Sequence, residues 1–555
     1  MVSRMGLHPV AASVLLLAAA ATAQIPSGYK AYENKLASVR FAYPPLYQEM
    51  PLPPTEQVVV ARYLAKERPA ELKKVDDRLY KACEQQLFVY RFELPAAKTG
   101  VAPSAEGDPA APPNAGPATV REAMEANSRV ESWEQFLKRF GAWRLEEDAK
   151  KPGSFALVWK GQWQDPDARP CGYLVKKQEG STLFGVYGFS LSPCEKALVG
   201  HVQKTAGSLV LAGEEAEAAA AAAEEAIDRL YQSGKFRGVE FRKKARAELA
   251  KGWRAVDTEN YLIVHHSKGE GLIGQIAREI EAMRSLYSEL FPPTGPMDKL
   301  SVVRVCRTRD EYHQYGGPPN TGGYWHPGNE ELVFYDYSYT MKTLDKDERR
   351  ALGDRKLTDD DSLLVLYHEA FHQYIHYAVG EVAPHDWFNE GYGDYFSGAV
   401  VASNTNRVLR VEPSPWRIHL AKDMCEYGEG FVPLDEILKA ERAVFYNPAR
   451  IRFFYAGAWS FVYFLKHSKE VAANPRWAGL LSTYFDAVKQ AYRDELGKLE
   501  GTPNLQQKTV AGFNARKRAL AVMLDGLDIA ALEKVWRKWV VDMKDPWPQL
   551  RKKRK

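Results

Sequence analysis

The chain has 555 residues, 45% of them hydrophobic, and its 75 basic and 71 acidic side chains leave a formal net charge of +4. That is enough apolar material for a large core and more than one domain, which excludes a disordered chain and a disulfide-built miniature. The near-neutral balance supplies no global field to attract polyanions, so no nucleic-acid partner is expected.

At the start, Arg4 precedes an apolar run from Val10 to Ala21, and Ala21-Thr22-Ala23 has the small-x-small form of a cleavage site. Residues 1–23 read as a secretory signal peptide, and the mature protein is expected outside the cytoplasm, secreted or periplasmic. No later stretch is apolar enough to predict a transmembrane segment. Residues 24–94 look helical, with helices expected over 58–72 and 75–89. Residues 95–119, dense in proline, alanine and glycine, read as a flexible linker. The stretch 120–210 reads as a small α+β region, with a helix around Trp133 and Phe136 and strands over 155–159 and 183–187. Residues 211–250 supply connecting helices, the first alanine- and glutamate-rich over 213–233.

From 251 to 548 the pattern becomes that of a larger domain. Strands are expected over 261–264 and 300–305, with helical spacing over 272–291 between them. Residues 322–326 and 331–335 flank a Pro327-Gly328-Asn329 turn and predict a hairpin. The charged insertion 342–361 is a possible flap. The basic tail 549–555 reads as a frayed, solvated terminus. Five cysteines, Cys83, Cys171, Cys194, Cys306 and Cys425, are too scattered for a disulfide framework or a metal knuckle. Pairing of Cys171 with Cys194 across a hairpin is left open.

Chemistry concentrates after this insertion, at His368-Glu369-Ala370-Phe371-His372. Residues i and i+4 share a helix face, so both imidazoles can meet one metal ion while Glu369 stands beside it as a proton acceptor. Thr358 and the aspartates after it predict the start of that helix, and Gly380 its end. Leu364, His368, Phe371, His372 and Ile375 fall on one stripe, which points the histidines inward. His376 lies about 12 Å further along the axis and cannot join them on the same ion. His385 reads as a surface-loop residue. Glu390, opening an expected second helix over 388–402, is the better third ligand. Asp394 shares its face and can fix a histidine tautomer, most directly that of His368.

His368-Glu369-x-x-His372 followed by Asn389-Glu390-Gly391 and Asp394 resembles the gluzincins, the glutamate-ligand zinc metallopeptidases with thermolysin-like or aminopeptidase-like catalytic domains. The resemblance is specific over about 360–400. It implies a zincin-like α+β fold: a mixed sheet with an active-site helix and a mainly helical C-terminal part. It also implies a Zn2+ cofactor held by His368, His372 and Glu390, with Glu369 as general base activating a zinc-bound water, and Asn389 and Asp394 supporting the ligands. In aminopeptidase-like relatives a tyrosine on a later helix steadies the oxyanion. Tyr455 in Phe454-Tyr455-Ala456-Gly457 resembles it, with Tyr463, His419 and His467 in reserve and a plain core aromatic as the alternative. The expected function is a secreted zinc-dependent peptidase acting on a peptide or protein substrate, an endopeptidase rather than an exopeptidase because no anchor motif for a free amine precedes His368. Such an enzyme needs an edge strand to hold an extended substrate, and the 322–335 hairpin is the candidate. The competing expectation is a non-catalytic cell-envelope binding or scaffold protein with a structural or relict zinc site.

Overall fold

The computed structural model describes residues 25–34, 37–65, 85–95, 116–161, 170–190, 195–211, 214–297, 299–319, 321–344, 358–402 and 407–548. The expected signal peptide, Cys83, Cys194, the basic tail and most of the expected linker and insertion lie outside these residues. Among the described residues no helix is long and apolar enough to cross a membrane.

The described residues of the first region form strands, which corrects the helical expectation where it covers 59–65 and 86–89, while residues 66–84, which carry most of the two expected helices, lie outside the described residues. These are β1 (Lys30–Asn34), β2 (Val39–Tyr43), β3 (Tyr47–Met50), β4 (Val59–Ala65) and β5 (Gln86–Glu93). Further along come α1 (Val120–Ser128), α2 (Trp133–Leu137), β6 (Trp143–Glu147), β7 (Ser154–Trp159), β8 (Cys171–Glu179), β9 (Thr182–Ser190), α3 (Glu195–Ser208) and β10 (Val210–Leu211). Seven strands form one antiparallel sheet in the order β3-β4-β5-β9-β8-β7-β6, and β1, β2 and β10 form a second. The misreading has a physical cause. Along β5, Leu87 and Val89 enter a core with Leu198 and Val202 of α3, whereas Tyr90 and Phe92 enter another with Phe136 of α2. A strand covered on both faces is apolar at nearly every position, so period two disappears from its sequence.

Two helices, α4 (Glu214–Tyr231) and α5 (Val239–Ala247), lead into the larger region as expected. There β11 (Arg254–Asp257), β12 (Tyr261–His265), β13 (Ser301–Cys306), β14 (Gly323–His326) and β15 (Glu331–Tyr335) form a mixed sheet in the order β11-β12-β13-β15-β14. The three inner strands run parallel and the two rim strands antiparallel. The parallel pair β12 and β13 requires a crossover, which α6 (Glu270–Leu290) provides. The 322–335 hairpin forms as expected, and β14 is an edge strand.

Across this sheet lies α7 (Asp359–Val379), in contact with β14, β15 and α6, and after it α8 (Asp386–Phe396). The rest is mainly helical, including α9 (Ile418–Tyr427), α10 (Ile451–His467), α11 (Leu480–Gly497), α12 (Leu505–Leu524) and α13 (Ile529–Asp542). One hydrophobic core joins sheet and helices, from Leu262 and Val303 through Phe371 and Phe388 to Trp459 and Trp536. The architecture is α+β throughout.

Candidate metal centre

Helix α7 starts where its sequence says it should. The Thr358 N–H donates to Asp361 Oδ2 at 2.8 Å, three aspartates occupy the first turn, and Gly380 ends the helix at φ +115°. Leu366, Phe371 and Ile375 are fully buried, so α7 is locked into the core on both sides of its histidines. His368 and His372 sit one turn apart with ring centroids 4.6 Å apart and planes at 89°.

Helix α8 delivers the third group. Glu390 Oε2 lies 3.1 Å from His368 Nε2 and 3.3 Å from His372 Nε2. The ligand atoms of His368, His372 and Glu390 all fall within 4.8 Å of one another, and among the described residues no other such group occurs. Two glycines make the approach possible. A Cβ at Gly391 would stand 2.8 Å from the Ala458 carbonyl oxygen of α10, and one at Gly393 would stand 2.8 Å from the His368 ring. The helix stops at Phe396 rather than reaching residue 402. Ser397 Oγ donates to Leu364 O at 3.0 Å, and a Cβ at Gly398 would lie 1.9 Å from Glu412 O, so the chain turns there into a short strand, β16 (Ala399–Val401).

Around the three groups is a layer that orients them. His372 Nδ1 donates to Asn389 Oδ1 at 3.0 Å, which leaves the Nε2 lone pair facing Glu390. His368 Nδ1 lies 3.3 Å from Asp394 Oδ1, and Arg417 Nε donates to Asp394 Oδ2 at 2.6 Å. Tyr446 donates to Glu390 Oε1 at 2.5 Å. Arg417 and Tyr446 are site residues that sequence reasoning missed, since neither belongs to a motif.

The electrostatics favour a cation. Burial lowers the proton affinity of His368, but its hydrogen bonds with Asp394 and Glu390 outweigh this and push its pKa up to about 10. Burial raises the Glu390 carboxyl, yet His372 and His368 hold it well below the usual carboxylate range. Burial keeps the Glu369 carboxyl above its ordinary value, against the downward pull of His368 and His372. Positive charge at His368 Nε2 is therefore strongly stabilised. Two imidazoles and a carboxylate are also a donor set that suits zinc.

A cavity of about 310 Å³ opens on this cluster, lined by Glu369, His368, Tyr455, Arg417, Trp416 and Gly323 of β14. Tyr455 is thus at the site: its ring lies parallel to that of His368 with centroids 6.4 Å apart, and the Arg417 guanidinium lies 4.9 Å over it. The reserve residues are not. His419 pairs with Asp545 at 3.1 Å, and Tyr463 stacks on His467 at 4.2 Å. His376 packs beside Tyr377 with ring centroids 5.0 Å apart, and the His385 main chain donates to Tyr484 Oη at 2.7 Å. A larger cavity of about 840 Å³ lies between the N-terminal region and the connecting helices, lined by Glu33, Glu56, Arg91 and Arg246 among others.

No protein-family model matches the sequence, and no curated protein matches it significantly. Among solved structures, the chain is similar to the solution structure of cyanobacterial PsbP (CyanoP) from Synechocystis, at 12% identity over 33% of this chain and 92% of that one, with a TM-score of 0.19. It is similar at 10% identity to a crystal structure from Bacteroides thetaiotaomicron, over 55% of this chain and 85% of that one, also with a TM-score of 0.19. Likenesses this slight leave the site to be read from its own geometry.

Proposed function

We propose that the chain is a zinc-dependent peptidase of the gluzincin type, with a zincin-like catalytic domain over 251–548, working outside the cytoplasm. The observation that carries this reading is the convergence of His368 Nε2, His372 Nε2 and Glu390 Oε2 beside the buried Glu369. His368, His372 and Glu390 hold the metal, and a three-residue set leaves a position for water or substrate. When bound, zinc supplies Lewis acidity, which polarises a peptide carbonyl and acidifies water.

The chain's own residues do the rest. Glu369, buried and raised in proton affinity, takes a proton from the attacking water and passes it to the departing amine nitrogen. The water oxygen bonds to the carbonyl carbon first, moving the π electron pair onto the carbonyl oxygen, and the C–N bond breaks afterwards as the nitrogen takes the proton from Glu369. Tyr455 donates a hydrogen bond to the oxygen that gains charge. Asn389 and Asp394 keep the two imidazoles in the tautomer that turns Nε2 inward. The edge of β14 pairs with an extended substrate backbone beside Glu369. An internal peptide bond, rather than a terminal one, is the favoured target.

The test is a metal analysis paired with cleavage of an unfolded protein by wild type and Glu369→Gln. Both proteins are expected to bind about one zinc, and the variant to lose hydrolysis by roughly a hundred-fold or more. A zinc-loaded wild type that cleaves nothing across a broad peptide library overturns the reading.

A further inference from the structure

The turn between β14 and β15 is one place where the N-terminal region packs on the larger domain. Thr55 Oγ1 donates to Asn329 Oδ1 at 2.8 Å, and both residues are buried. Arg121 of α1 donates from Nη1 to Glu330 Oε2 at 3.0 Å, with the two side chains only 16% and 10% exposed. The Arg121 guanidinium is held over Phe241 at 5.0 Å and by Glu125 at 2.8 Å. At Gly328 an added Cβ would stand 2.2 Å from Met124 Sδ and 3.0 Å from Val120 Cγ1, so α1 packs directly on the turn.

Glu330 has φ +53°, a left-handed backbone that a side-chain-bearing residue keeps only when its surroundings over-determine it. Its carboxylate supplies that restraint. While Oε2 takes the Arg121 bond, Oε1 accepts from Tyr377 Oη at 3.2 Å, and Tyr377 lies on α7, the histidine helix. One side chain thus rivets α1, the hairpin turn and α7 together. The strand entering this turn, β14, is short and pairs with β15 on one side, and an outer hairpin strand of that kind is marginal by itself. It nevertheless carries the contacts that meet Glu369. A Cβ added at Gly323 would stand 3.2 Å from Glu369 Cγ, and Gly323 and Glu369 line the same cavity.

We infer that the N-terminal region serves the larger domain by positioning this hairpin: Arg121, through Glu330, sets the height of the β14 edge over Glu369 and with it the fit of an extended substrate. Arg121 and Glu330 are positioning residues that touch no substrate. The substrate part of the inference rests on the peptidase reading, while the positioning part does not.

The full-length chain is compared with Arg121→Ala, Arg121→Lys and Thr55→Val by hydrogen exchange, zinc content and steady-state cleavage of an unfolded protein. In Arg121→Ala, amides of 323–335 are expected to exchange about ten-fold faster, those of 359–379 unchanged, because one charge-assisted bond at the turn is lost. Zinc content stays constant, KM rises roughly five-fold and kcat changes less than about two-fold, since remote positioning is lost without loss of the reacting groups. Arg121→Lys recovers part of the protection. Should Arg121→Ala fail to fold, Thr55→Val, which removes one neutral hydrogen bond from the same turn, is expected to show the same local pattern. Unchanged exchange in 323–335, or equal acceleration along the whole chain, overturns the inference. Accelerated hairpin exchange with no cleavage by any form leaves the positioning standing and defeats the peptidase reading.

Discussion

Tyr446 donates to Glu390 Oε1 at 2.5 Å while Glu390 Oε2 faces both histidine Nε2 atoms, so the two oxygens of one carboxylate are divided between a tyrosine and the two imidazoles. Tyr446 is itself steadied, with Asp386 Oδ1 3.4 Å from its hydroxyl and the Arg442 guanidinium 4.5 Å over its ring. This arrangement fixes which oxygen Glu390 presents. Tyr446→Phe removes the hydroxyl and nothing else, and is expected to weaken zinc binding by about ten-fold, the lower end for loss of a residue supporting a ligand. Competition with a chelator of known affinity measures it. Unchanged affinity would mean that α8 packing alone aims Glu390.

Two glycines in α8 separate metal binding from folding. An added methyl at Gly393 meets the His368 ring at 2.8 Å, a side chain that can swing away, whereas one at Gly391 meets the Ala458 main chain at 2.8 Å and Val462 at 2.9 Å. Gly393→Ala is therefore expected to lose zinc while keeping its fold. Gly391→Ala forces α8 and α10 apart and is expected to lose about 1–3 kcal/mol of stability. Metal analysis and urea unfolding of the two variants check this. Equal effects of both substitutions on both measurements would contradict it.

Acid should destabilise the protein through two histidines that hold no metal. Burial is the main cause in both His376 and His385, helped in His385 by Arg516, and pushes each pKa down to about 4 from 6.5. Between those two pH values the unfolded chain binds more protons than the folded one, so stability is complete above about pH 6.5 and falls as the pH drops towards 4. Each histidine contributes at most on the order of 3 kcal/mol to that fall. On the proposed zinc reading, metal release would weaken the fold in acid as well, so the measurement is a difference. The urea midpoint of His376→Gln/His385→Asn should depend less on pH across this window than that of wild type, and equal slopes would count against it.

The parts legible in the sequence are those whose contacts are local or are imposed by helix geometry. Thr358, Gly380 and the His368 to His372 spacing specify a capped helix within about two dozen residues. The short connection to α8 leaves little freedom over where Glu390 and Asp394 arrive. The hairpin turn was equally visible. Arg417 reaches Asp394 from 23 positions away and Tyr446 reaches Glu390 from 56, so both depend on how the C-terminal helices close over α8, which no local pattern encodes. The N-terminal sheet failed for another reason. Its strands β4 and β5 are covered on both faces, and their apolar runs resemble a buried helix as much as a strand.

Arg417 gives the sharpest test of the orienting layer. Asp394 is fully buried, and its charge is balanced by Arg417 Nε at 2.6 Å and His368 Nδ1 at 3.3 Å. On the proposed reading, zinc on Nε2 would leave His368 neutral, and among the described residues Arg417 would then be the one full positive side-chain charge touching that carboxylate. Arg417→Met strands a buried anion and is expected to cost about 3 kcal/mol, because breaking such a pair leaves an uncompensated charge. Asp394→Asn in the same chain removes the anion that needed balancing. The double variant should therefore unfold at a higher urea concentration than Arg417→Met alone, even though it carries one more substitution. It should still bind zinc more weakly than wild type, since an amide orients the His368 tautomer less firmly than a carboxylate. Additive losses in the double-mutant cycle would show that Arg417 acts through its packing on Tyr455, 4.9 Å away, and not through the charge of Asp394.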